Sequence, residues 1–133
     1  MANATLLPPG WPRPKGYANG IAARGRLIVT GGVIGWDETE RLVADDLAGQ
    51  FRQILWNTLA ILNEGGATSE HIVRMTWYVT DIAAYRDSLA EIGEAYRELI
   101  GRNYPAMAVV QVTALVEPGA MIEIETMAVV PWP

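Results

Sequence analysis

Cysteine is absent from this sequence of 133 residues, and histidine occurs once. Without thiols there is no disulfide framework, no cysteine nucleophile and no thiolate metal site. A single histidine leaves a histidine-based metal centre or a Ser-His-Asp triad poorly supplied, so neither metal nor cofactor is expected. Basic residues are also scarce. Ten Lys and Arg stand against fifteen Asp and Glu, for a net charge of −5. They are scattered, and nucleic acid, which needs clustered cations against phosphate, is not an expected partner. No apolar run approaches the roughly 18 residues of a membrane span, so no membrane partner is expected. The opening "MANATLLPPGWPRPKG" lacks the basic and apolar regions of a secretory signal, which makes the cytoplasm the expected location.

What is present is a chain rich enough in apolar residues to fold. Half of it is hydrophobic and 19% is charged, which excludes a disordered tail. The length suits one domain over residues 1–133. Pro8, Pro9, Pro12 and Pro14 make residues 1–15 an extended lead-in rather than a helix.

The pattern then predicts a hairpin, with residues 17–23 turning at Arg24-Gly25-Arg26 and returning as a strand over 27–30. Gly31-Gly32 marks a bulge or a close backbone approach. Leu47, Phe51, Leu55, Leu59 and Leu62 recur at helical spacing, and Gly65-Gly66 stops that helix. A strand follows with Val73, Met75, Trp77 and Val79 expected on one face. Asp81 caps a second helix whose stripe is Ile82, Tyr85, Leu89, Ile92, Tyr96 and Leu99. Two strands, over 107–115 and 121–130, are joined by the turn signal "VEPGA".

The predicted order is ββαβαββ, an α+β fold with a single mixed sheet. Two helices cover only one face of such a sheet. The uncovered face predicts self-association. Along 121–130 strand alternation puts Met121, Glu123, Glu125 and Met127 together on one face, too greasy for plain solvent and too charged for a plain core.

In these segments the chain resembles the Rid (YjgF-like) family, whose best-known members are enamine/imine deaminases. The strongest part is "YPAMAVVQVTALVEPGAMIEIETMAVV", similar to that family's C-terminal signature of Pro-Ala-Arg, a Val-rich strand and Glu-Ile-Glu-Ala. "ILNEGGATSEHIVRMTWYVTD" is similar to its helix-end and central-strand pattern, and "LIVTGGVIG" stands where the family has Ser-Gly-Gln. The resemblance implies a chorismate-mutase-like fold and a homotrimer with small-molecule clefts between subunits.

In the deaminases an arginine after Pro-Ala grips the substrate carboxylate, and a glutamate of the last strand positions the attacking water. By resemblance the glutamate is Glu123, the expected catalytic residue, while the arginine position holds Met107. The family's helix asparagine falls at Gly93 and its serine at Gly31. Tyr17 and Gly32 match, and Trp36, after the glycine-rich bend, is expected to wall the cleft. Tyr17, Gly31, Gly32, Trp36, Gly93 and Met107 are therefore the expected substrate-binding set.

An arginine fork gives charge-assisted hydrogen bonds of roughly 1.5–3 kcal/mol each, whereas a thioether contact supplies about 1 kcal/mol. Met107 thus argues against an archetypal 2-aminoacrylate deaminase. Two readings stay open: hydrolysis of an imine or enamine that lacks a carboxylate at the usual position, and a non-catalytic trimer that binds or senses a small molecule. The ribonuclease label that some family members carry suits this acidic chain poorly. His71 is read as a turn histidine. Glu125 is read as an ion-pair partner at a subunit contact or a solvated rim residue.

Overall fold

The computed structural model describes residues 3–133, so residues 1 and 2 of the predicted lead-in lie outside the described part. Ten elements follow in chain order. Strands β1 (Ala4–Leu6), β2 (Gly20–Ala22) and β3 (Arg26–Val29) precede helix α1 (Leu47–Glu64). A short 3-10 turn leads into β4 (Ile72–Val79), then come α2 (Ile82–Asp87), α3 (Leu89–Leu99), β5 (Ala106–Gln111) and β6 (Ile122–Val130).

The main sheet has the order β3-β6-β4-β5, with β4 and β5 parallel and the other pairs antiparallel. The α+β class holds, but the sheet is not single. β1 and β2 form a separate antiparallel ribbon, Ala4 opposite Ala22. The predicted hairpin is therefore corrected: β2 takes its partner from the lead-in, and β3 pairs along β6. Gly25 explains the divergence. Its φ of +147° is a backbone state that side chains disfavour. A Cβ there would strike the carbonyl oxygen of Val130, so the glycine lets the chain turn flush against β6.

Three helices stand where two were predicted. Ser88 Oγ donates to the carbonyl of Ala84 at 2.8 Å and its backbone leaves the helical region, which ends α2 and restarts the chain as α3. β5 ends at Gln111 rather than at residue 115, because β4, its ladder partner, ends at Val79. A register shift between Ile72 and Arg74 also puts Ile72, not Val73, on the buried side.

Apolar periodicity fills the layer between helices and sheet. Phe51, Ile54, Leu55 and Leu62 of α1 are buried with Met75, Trp77 and Val79 of β4 and Ile122, Ile124 and Ala128 of β6. Phe51 and Trp77 meet at a ring separation of 4.8 Å. Gln50 is fully buried and fully paired. Its amide donates to the carbonyls of Ala44 and Gly119, and its Oε1 accepts from the backbone of Met121 at 2.8 Å. It fastens the start of β6 to α1. The outer sheet face has no helix over it. Leu27, Val29, Val110 and Met127 are exposed there, among Arg74, Tyr78, Glu123 and Glu125.

Candidate functional site

The expected site residues fall into two groups on opposite sides of the sheet. Glu123 pairs with Tyr78 across the β6–β4 ladder and shares its outer face. Met107 pairs with Met75 on the helix side. Strand alternation therefore sets Glu123 and Met107 on opposite faces of one subunit's sheet.

The first group is built by a bulge. Thr30 bonds to Thr126 and Val33 exchanges both backbone bonds with Ile124, so Gly31 and Gly32 together oppose the single residue Glu125. The backbone N–H groups of both glycines are exposed and have no acceptor among the described residues. The Glu123 carboxylate lies directly on Gly32, where a Cβ would stand 2.7 Å from its Cδ. Glycine at 32 thus makes the room that the carboxylate occupies.

Glu123 is half-buried and, among the described residues, accepts no hydrogen bond and joins no ion pair. Glu125, two residues on, accepts from the Tyr78 hydroxyl instead. That bond is the main reason the Tyr78 hydroxyl is pushed above its usual range. Trp36 lies on the far side of Gly32, in a shallow cavity of about 450 Å³ that also reaches Asn57 of α1. The Asn57 amide fixes this segment by donating to the carbonyls of Ile34 and Trp36.

The second group surrounds the start of β5. A cavity of about 320 Å³ is lined by Met107, Gly93, Trp77, Tyr85 and Arg97, with Lys15 and Gly16 from the lead-in. Tyr17 opens into the adjoining depression beside Arg13 and Arg102. Its neighbour Ala18 donates to the carbonyl of Pro105 at 2.9 Å, which holds the lead-in against β5. Aromatic rings pack around this cavity, with Tyr96 stacked on Tyr104 at 5.5 Å and Trp77 edge-on to Tyr85 at 6.3 Å. Burial raises the hydroxyls of Tyr85 and Tyr96 above their usual 10.0.

Arg97 and Lys15 had not been predicted as cavity residues. The available signal was spacing: Arg97 stands four residues after Gly93, one turn along the predicted helix. His71 belongs to neither group. Its Nδ1 accepts from the backbone of Thr68 at 2.9 Å and caps the 3-10 turn, a structural use. The described residues hold no group of three or more His, Cys, Asp and Glu spaced to bind a metal ion. Among the described residues no helix is long and apolar enough to cross a membrane.

The sequence profile described as Endoribonuclease L-PSP matches residues 12–130. The chain belongs to that family, the Rid or YjgF family. A RutC family protein of Pyrococcus abyssi is 30% identical over 129 residues, covering 96% of this chain and 98% of that protein. The human 2-iminobutanoate/2-iminopropanoate deaminase is 33% identical over 105 residues, 78% of this chain and 73% of the human protein. Among solved structures, the Rid family protein YyfB of Yersinia pestis superposes with a TM-score of 0.86 at 28% identity, covering 98% of this chain and all of that one. The mixed α+β fold with three helices is that of the Rid family.

Proposed function

We propose that this Rid protein hydrolyses an imine or enamine in a cleft between subunits, one group of site residues coming from each. Glu123 is the catalytic residue. Its carboxylate orients a water against the imine carbon and takes the proton that this water gives up as its oxygen bonds to carbon. Glu123 passes that proton on to the nitrogen, and the carbinolamine collapses as its hydroxyl loses its proton, the C–N bond breaks and ammonia leaves a carbonyl product; an enamine reacts after tautomerising to its imine. Gly32 lies against that carboxylate, and the N–H groups of Gly31 and Gly32, which have no acceptor among the described residues, serve as donors to oxygen.

The observation that carries the reading is the half-buried, unpartnered carboxylate of Glu123 set on Gly32. Burying a carboxylate without a partner costs stability, so such a group is more readily explained by a ligand than by the fold. The name of the human relative, a 2-imino acid deaminase, supports the reaction class. Self-association, as a homotrimer by resemblance, is supported by the apolar residues Leu27, Val29, Val110 and Met127 on the uncovered sheet face.

Met107 gives the cavity a thioether where the deaminases have an arginine, so small 2-imino acids such as 2-aminoacrylate are not the expected substrates. A non-catalytic binding protein is the second reading, favoured by the same loss together with the bare Gly93. The net charge of −5 weighs against the nuclease in the family's name. The test is ammonia release from imines generated in situ by amino-acid and amine oxidases. Wild-type protein should accelerate hydrolysis of at least one, and Glu123→Gln should abolish the acceleration without lowering thermal stability. A Glu123→Gln variant that unfolds several degrees early yet keeps wild-type turnover would make Glu123 a structural residue.

A further inference from the structure

In the cavity beside Met107 the cationic group stands on the helix wall rather than on the sheet. A Cβ at position 93 would approach Arg97 Nη1 to 3.1 Å, so the guanidinium lies over Gly93 in the space that a larger side chain would take. Arg97 joins no ion pair among the described residues, where the pairs are Arg52–Glu98 and Glu70–His71. Lys15 lines the same cavity, and no acidic residue does. Trp77, on its floor, is buried and its Nε1–H has no acceptor among the described residues. The remaining wall joins the apolar side chains of Met107, Leu89 and Ile92 to the rings of Tyr85, Tyr96 and Tyr104.

An unpaired guanidinium, a nearby ammonium and an apolar floor make a complementary site for an organic anion with an apolar body. We infer that Arg97 binds the carboxylate of such a molecule, assisted by Lys15, while the body packs against Met107 and the aromatic rings. Gly93 is the enabling residue, because its bare backbone leaves the guanidinium room that a larger side chain such as asparagine would take. Resting on the proposed function, this assigns the substrate class: an imine or enamine with an apolar skeleton and a carboxylate remote from the C=N carbon. The missing arginine of β5 is then an acid-binding group moved to α3, and the cavity's selectivity moves with it to longer molecules.

The test uses 3-phenylpropanoate and its neutral isostere 3-phenylpropanamide, titrated calorimetrically into the full chain. The acid should bind about fivefold more tightly than the amide, the margin of one solvent-exposed charge-assisted contact. Arg97→Met should remove that margin and leave amide binding unchanged. Gly93→Asn should act like Arg97→Met, by displacing the guanidinium. Equal binding of acid and amide, no binding of either, or an Arg97→Met variant that keeps the margin would overturn the assignment. Imine turnover measured alongside separates this claim from the one it rests on. Turnover lost in Glu123→Gln but untouched in Arg97→Met sinks the Arg97 assignment alone. An Arg97-dependent margin in a protein that hydrolyses no imine upholds the anion site and sinks the catalytic reading.

Discussion

Gly32→Ala isolates the placement of the Glu123 carboxylate from its chemistry. The added methyl would sit 2.7 Å from Glu123 Cδ. Ordinary carbon contact is about 3.5–4.0 Å, so the carboxylate must retreat by roughly 1 Å. Gly32 is not in the left-handed region, so alanine imposes no backbone strain there. The displaced atoms are the far end of a flexible side chain, and an off-rotamer glutamate costs about 0.5–1.5 kcal/mol. Replacing glycine where the backbone permits it returns about 0.4–1 kcal/mol through the unfolded state. Stability should therefore change by less than about 1 kcal/mol. Turnover should not be spared, since a misplacement of about 1 Å can cost on the order of a hundredfold. The assay is thermal unfolding beside steady-state ammonia release from the best imine of the panel. A variant with wild-type turnover would refute the claim that Gly32 positions the catalytic carboxylate. One that unfolds far earlier would show that the carboxylate is locked into the fold.

Two other perturbations test the architecture. Leu27→Asp puts a charge on the exposed apolar patch of the outer sheet face; light scattering should find the wild type trimeric and the variant dissociated, and a monomeric wild type would remove the basis for a cleft between subunits. Burial, with the neighbouring Tyr104 second, raises the Tyr96 hydroxyl above its usual 10.0, so this group's contribution to stability is present below about pH 10 and is lost as pH rises through the folded value. Tyr96→Phe loses the hydrogen bond to the Asn103 carbonyl, about 1 kcal/mol at neutral pH, but should flatten the decline above about pH 10. An unchanged alkaline slope in thermal unfolding would count against that cause.

The helix-to-sheet layer was legible in the sequence because burial imposes a period. Phe51, Leu55 and Leu62 repeat at helical spacing, and Met75, Trp77 and Val79 alternate, so both faces could be assigned before any coordinates. The bulge was legible from Gly31-Gly32, since paired glycines in a strand have few other uses. Long-range pairing was less accessible. The ribbon of β1 and β2 depends on a proline-rich segment looping back, which carries no periodic signal. The break at Ser88 depends on one hydroxyl bonding backwards, which an apolar stripe running through it conceals. Glu123 and Met107 could each be matched to a family position, but their placement on opposite sheet faces follows from the β4 register against β5 and β6 together. Arg97 was not legible because its place over Gly93 depends on a helix turn packing beside β5, which an exposed arginine on the polar side of an apolar stripe does not signal.

Subunit complementation tests the central claim most directly. Glu123→Gln disables one group of site residues, and Gly93→Phe fills the cavity of the other. Each variant alone should be inactive. If a cleft takes one group from each of two neighbouring subunits, equal amounts unfolded and reassembled together leave about a quarter of the clefts with both halves intact. The account predicts turnover recovering to about a quarter of the wild-type value. Turnover that stays at the level of the separate variants, in a mixture shown by light scattering to have reassembled, would contradict it.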